Sequence, residues 1–186
     1  MAGPDADTIA VIGAGKVGRA LARRAAVAGF RVILEDLIPT SLTYARQEIR
    51  QTLDDAVDSG ALDRAQADEA FARIDCATSI EDAARRARIV METGPDEAES
   101  KLEMFCLLDR ICLPDTVIVS NCHALDLSDT SAKADSIVGM YFSGDEAEIH
   151  CSAFTSERAL AVATQLAERM AAAYTITRDG HSAAKA

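Results

Sequence analysis

The chain has no tryptophan, no C-x-x-C pair, no basic run and no long apolar stretch, and each lack removes a class of function. Aromatic residues make up 4% of 186 positions, so the core must rest on Ala, Val, Ile and Leu within a hydrophobic fraction of 49%. Acids outnumber Lys and Arg by 30 to 19, a net charge of −11. That balance opposes nucleic acid or an anionic membrane as partner, since each would be repelled. Runs such as "TVIVS" fall far short of the roughly 20 apolar residues of a spanning helix. The start, "MAGPDADTIAVIG", lacks the basic and apolar regions of a signal peptide. The odd set Cys76, Cys106, Cys112, Cys122 and Cys151 reads as reduced thiols, and the expected location is the cytoplasm.

What is present is alternation. "TIAVIG" (8–13), "RVILED" (31–36), "ARIVME" (87–92), "TVIVS" (116–120), "SIVGMYF" (136–142) and "YTITRD" (174–179) read as strands, with a weaker one at "DCATSI". Segments of helical period separate them at 16–30, 41–60, 63–74, 96–112 and 156–173. Such alternation predicts βαβ units with right-handed crossovers: an α/β fold, doubly wound, with a mostly parallel sheet. One domain is expected over 8–180, with a disordered N-terminus at 1–7 and a disordered tail at 181–186. A chain of this size hides roughly 70% of its unfolded surface, enough for a real core.

The most informative segment is "VIGAGKVGRA", which holds Gly13-x-Gly15-x-x-Gly18 after a strand and at the start of a helix. In that setting Gly13 serves a tight turn, Gly15 lets backbone approach a pyrophosphate, and Gly18 lets the helix pack close to the strand. Lys16 and Val17 lie in the same helical turn, whose free N–H groups would receive phosphate. Asp36 ends the second strand and can accept hydrogen bonds from ribose hydroxyls. A carboxylate there repels the extra phosphate of NADP, and neither Leu37 nor Ile38 offsets it, which favours NAD. FAD, or a glycine turn with no cofactor, are the alternatives. Glu35 is expected on the opposite face from Asp36.

With glycines, acid and strand order in place, the chain resembles the NAD-binding Rossmann domain of the L-3-hydroxyacyl-CoA dehydrogenases. The likeness spans about 7–180. It extends through "SGALDRAQADEAFARID", "ARIVMETGPDEAESKLEMF", "DTVIVSN" and "SIVGMYF". It implies that Asp96 and Lys101 contact the ribose and nicotinamide side of NAD, and that Asn121 stands beside the cofactor. Residue by residue, Asp96 also reads as a helix N-cap and Lys101 as a solvated charge. The departures are specific. His123 stands where the family has a Ser that binds substrate and cofactor. "YFSGD" replaces the family's "HFFNP", so Tyr141 stands at the position of the catalytic His and Gly144 at that of an Asn. The Glu that orients that His falls on Ala153 by counting, with Glu148 nearby. His123 and Tyr141 are therefore the candidate catalytic residues of an oxidoreductase acting on a 3-hydroxyacyl-type substrate in fatty acid metabolism. The rival expectation is a non-catalytic NAD-binding regulatory or docking module.

The resemblance also implies a helical domain after "TITRDGHSAAKA". A homodimer or a separate partner chain is the expected replacement for it, with an acyl or acyl-CoA compound as substrate. Two mirrored pairs, Cys122-His123 and His150-Cys151, raise a Zn²⁺ site or a Cys–His dyad. Adjacent residues on extended backbone point in opposite directions, so no metal is expected. Cys106 and Cys112 read as core residues, and Asp54, Asp55, Asp58, Asp63, Asp68 and Glu69 as a solvated helical face.

Overall fold

The structure is a computed structural model that describes residues 7–95, 97–121 and 134–178, and the backbone of 181–184. The chain forms two compact units, Met1–Thr93 and Gly94–Ala186.

Unit 1 contains β1 (Thr8–Ile12), α1 (Lys16–Val27), β2 (Arg31–Glu35), α2 (Pro39–Asp58), α3 (Arg64–Ala72), β3 (Ile74–Ala77), α4 (Ile80–Arg85) and β4 (Ile89–Glu92). Its strands lie side by side in the order β3-β2-β1-β4, all parallel. β1 is buried at all five positions, as a strand covered on both faces must be. The chain steps from β1 through β2 to β3 in one direction and then returns to β4 on the other side of β1. Right-handed crossovers therefore place α1 and α4 on opposite faces, and the reversal opens a crevice at the C-terminal ends of β1 and β4. Helix α1 buries Gly18, Leu21, Ala22, Ala25 and Ala26 along one stripe of small residues, which lets it sit close to the strands. It stops at Gly29, whose φ of +91° suits glycine.

The expected solvated acids of α2 and α3 are mostly paired. Asp63 caps α3 in a reciprocal capping box with Gln66. Arg50 reaches both Asp54 and Asp68, Arg64 reaches Asp54, and Arg73 reaches Glu69. Helix α4 is an element the sequence reading lacks, six residues capped by Ser79.

Unit 2 contains α5 (Ala98–Ile111), β5 (Val117–Ser120), a 3-10 turn (Ala134–Ser136), β6 (Ile137–Ser143), β7 (Glu146–Cys151), α6 (Glu157–Met170), β8 (Ala173–Arg178) and β9 (His181–Ala184). β5 and β6 are parallel, β6 and β7 antiparallel, β7 and β8 parallel, and β8 and β9 antiparallel. The extra strand β7 follows a two-residue turn at Gly144 and Asp145, with Gly144 at φ +58°. The tail expected to be disordered carries β9. α6 begins at a Ser156 cap and packs across β5 to β8. Along β7 the burial alternates: Ala147, Ile149 and Cys151 are buried, while Glu146 and Glu148 are exposed and His150 is half-buried. Among the described residues, no helix is long and apolar enough to cross a membrane.

Candidate functional site

The turn between β1 and α1 is built around backbone that no larger residue could share. Gly13 takes φ +102°, and its N–H donates to the Glu35 carbonyl at 2.9 Å, joining the turn to β2. A Cβ on Gly18 would stand 1.8 Å from the Gly13 carbonyl oxygen, so glycine is required for the helix to approach the strand. Gly15 is different. It is the N-cap of α1 with ordinary extended φ, supplies no side-chain cap, and a Cβ there would meet nothing within 4 Å. The protein itself does not need a glycine at 15; the open space does. No acid lies in the first turn of α1, so nothing competes with an anion for its N–H groups.

Asp36 lies beside this turn. Its Oδ2 accepts from the Ala14 N–H at 3.1 Å and its Oδ1 from the Ile38 N–H at 2.9 Å, which fixes the carboxylate. Leu37 and Ile38 beyond it are 67% and 57% exposed, an apolar surface suited to a flat ring. Lys16 is exposed and Val17 is 40% exposed at the mouth of the turn. Thr93 is a contributor the sequence reading missed. Its hydroxyl donates to the Ile12 carbonyl at 2.7 Å, and its Oγ1 lies 2.9 Å from where a Gly13 Cβ would be. Only its place directly after β4 could have drawn attention to it.

Glu35 does face away from Asp36, into the interior, where it is 2% exposed and its Oε1 has no hydrogen-bond partner. Burial, with a smaller push from the Asp36 charge, raises its pKa to about 7.

In unit 2, Lys101 is not the solvated charge that one reading suggested. It is 1% exposed, and its Nζ donates to the Gly94 carbonyl at 3.2 Å and the Asn121 carbonyl at 3.4 Å. It thereby ties the start of α5 to the end of β5. Asn121 is half-buried at that end. Tyr141 is half-buried on β6, directly opposite Glu148 on β7. Asp96, Cys122 and His123 lie outside the described residues. His150 and Cys151 take opposite faces of β7, and among the described residues no group of three metal-ligating side chains gathers. Cys112 is buried as expected, but Cys106 is exposed.

The β1–α1 turn, the open position at Gly15 and the fixed Asp36 define a dinucleotide-binding α/β protein, and they fit an adenine dinucleotide. Residues 8–177 match the family described as 3-hydroxyacyl-CoA dehydrogenase, NAD binding domain, and the chain belongs to that family, whose cofactor is NAD. It is 31% identical over 137 residues to a probable 3-hydroxybutyryl-CoA dehydrogenase of Bacillus subtilis (strain 168), covering 72% of this chain and 47% of that protein. It is 33% identical over 122 residues to Lambda-crystallin of Oryctolagus cuniculus, covering 65% of this chain and 38% of the relative. The chain thus spans about half the length of the curated relatives it matches, or less. The fold is also that of (S)-3-hydroxybutyryl-CoA dehydrogenase PaaH1 from Ralstonia eutropha, with a TM-score of 0.87 at 22% identity over 94% of this chain and 64% of that one.

Proposed function

We propose that this chain is the NAD(H)-binding part of an oxidoreductase that acts on a 3-hydroxyacyl thioester. The observation that carries the reading is the turn at Gly13–Gly18 with its fixed Asp36, within a match that runs along nearly the whole chain. Bound NAD would supply a nicotinamide carbon that takes a hydride from the alcohol carbon. The chain's part is to hold the cofactor and to move a proton. Gly13, Gly15, Lys16, Val17 and Gly18 would receive the pyrophosphate, and Asp36 the adenosine ribose. Asp96, Lys101 and Asn121 would serve the nicotinamide side. Lys16, Arg19 and Arg23 line a groove on α1 that they share with Glu48 and Thr52 of α2. His123 and Tyr141 are the resemblance-based candidates for the proton acceptor. The cytoplasm is the proposed location, and a homodimer or a separate partner chain is the proposed assembly.

A second reading rests on the resemblance alone. Tyr141 and Gly144 stand where the family pattern has its catalytic His and an Asn, as a non-catalytic NAD-binding module would allow. Two measurements decide. NAD at 100 times its dissociation constant should stabilise the fold by about 2.7 kcal/mol, and no thermal shift with NAD or NADH would remove the cofactor reading. NADH oxidation with acetoacetyl-CoA tests catalysis, and undetectable turnover by NAD-binding protein would leave the module. Activity that survives His123→Ala combined with Tyr141→Phe would remove both residues from the candidate list.

A further inference from the structure

Helix α5 buries Lys101, Phe105 and Leu108 on one side and exposes the opposite side. Seven residues make almost two full turns, so Glu103 and Arg110 fall on one line along the exposed side, about 10 Å apart. Cys106 and Leu107 lie between them, one on each flank of that line, and both are exposed. Leu102 is 43% exposed at one edge of the same side. Two exposed leucines are ordinary by themselves. The order of the charges about them is not: the side reads acid, apolar centre, base. Glu103 and Arg110 stand farther apart than the i+3 and i+4 spacings at which helical side chains pair. Among the described residues no ion pair takes up either of them.

Such a side is complementary to itself. A two-fold axis between positions 106 and 107 lays a second α5 on it, running the opposite way. Glu103 then meets Arg110 of the second copy, and Arg110 meets its Glu103. Cys106 and Leu107 meet Leu107 and Cys106 at the centre, with Leu102 and Ile111 at the rim. Every contact occurs twice, as a closed two-fold interface requires. A parallel copy would set Glu103 on Glu103 and Arg110 on Arg110, so the charge order selects the antiparallel arrangement. Glu99 falls opposite Pro114, past the end of the helix, where Asp115 is already paired with Arg158 at 3.8 Å. With a net charge of −11, two copies repel in most other orientations.

We infer that the exposed side of α5 is a docking surface for a second copy of this chain, joined antiparallel through Glu103, Cys106, Leu107 and Arg110. The inference rests on the homodimer proposed above, gives that assembly its surface, and does not depend on the oxidoreductase reading. The apolar centre supplies the attraction, and the two ion pairs at its ends fix direction and register. Helices packed in this way lie about 8–10 Å apart. The two Cys106 thiols then come close to the two-fold axis, within reach of one short bifunctional reagent.

The test is sedimentation velocity on the full chain over a series of concentrations, which should show a monomer–dimer equilibrium. Glu103→Arg alone and Arg110→Glu alone should each weaken the dimer by about tenfold or more, because each sets like charges together at both ends. An equimolar mixture of the two variants should dimerise as the wild type does, since each copy again meets opposite charge at both ends. That rescue shows that both variants fold, and a general change in surface charge would not produce it. A short bismaleimide should link two wild-type chains, and the link should be lost in Cys106→Ser. Single variants that dimerise like the wild type would overturn the inference while sparing the homodimer, as would a link that survives Cys106→Ser. A mixture that stays monomeric would overturn the antiparallel pairing. A wild-type chain that is monomeric at every concentration would overturn the surface and the homodimer together, and leave the NAD reading to its own thermal-shift test.

Discussion

In unit 1 the three glycines of the β1–α1 turn meet three different constraints, each set by a neighbouring atom or by its lack. Gly13 needs its positive φ, Gly18 would collide with the Gly13 carbonyl, and Gly15 faces empty space. In unit 2 the polar side chains stand on a regular backbone, with β5 and β6 paired in parallel and β6 and β7 antiparallel. Binding a dinucleotide depends on backbone approach, and a single added methyl disrupts it. A proton acceptor needs only an ionisable group within reach, so it can shift to a neighbouring strand while the sheet persists.

The largest effect that would break this contrast is expected at Gly18. Its Cβ would stand 1.8 Å from backbone that has no rotamer to escape into. Gly18→Ala should cost about 3 kcal/mol or more and remove the NAD-dependent thermal shift, as read by urea unfolding with and without NAD. A stable variant that still binds NAD would show that the turn is not rigid.

Next in size is Glu35, which separates stability from function within unit 1. Its pKa rises from 4.5 to about 7 on folding. Below pH 4.5 the carboxyl is neutral in both states and costs nothing. Between pH 4.5 and 7 the unfolded chain ionises while the folded one resists, so stability falls as pH rises and stays low above 7. The loss is roughly 3 kcal/mol at 1.36 kcal/mol per pKa unit. Glu35→Gln should flatten this part of the stability-against-pH curve, measured by denaturant titration at pH 4.5, 6 and 8. A slope unchanged from wild type would mean that Glu35 is not the group responsible.

Much of this was legible in the sequence because local pattern and global fold agree. The β1–Gly–α1–β2–Asp36 run has a fixed order, and all seven predicted strands fall within a few residues of observed ones. What stayed hidden has physical causes. "EAEIHC" alternates polar and apolar residues as a half-covered strand does, but it sits across a two-residue turn from β6 and so lacks a separating polar loop. Counting forward from Tyr141 reached Ala153, whereas the tight turn at Gly144 brings Glu148 opposite it. The burial of Lys101 depends on carbonyls at Gly94 and Asn121, the second of them 20 residues away and beyond the end of α5. Likewise, the role of Thr93 depends on contact with a turn 80 residues earlier.

Gly15 gives a smaller effect that sharpens the same contrast. Because the turn itself leaves room for a Cβ, Gly15→Ala should leave the unfolding free energy near that of wild type. The methyl would enter the space reserved for the pyrophosphate, so NAD should bind at least tenfold more weakly, about 1.4 kcal/mol. Calorimetric titration set beside thermal unfolding checks both halves. Equal losses of stability and affinity would mean that Gly15 serves the fold and not the ligand.

The smallest effect compares one ion-paired carboxylate from each unit. Asp54 in unit 1 is paired with Arg50 and Arg64, and Glu148 in unit 2 with His150. The Arg64 guanidinium, hydrogen-bonded to Asp54, holds that carboxyl below its ordinary range. Its contribution is therefore present above pH 3.8 and is lost as the pH falls further. The pair is solvated and open to screening by salt, so Asp54→Asn should leave the melting temperature, NAD affinity and turnover close to wild type at pH 7. Glu148 is the more exposed of the two, at 52% against 32%, and Glu148→Gln should alter turnover. If the two variants behave alike in the 3-hydroxybutyryl-CoA assay, the carboxylate of unit 2 is only surface charge, and the distinction between a solvated pair and a working one disappears.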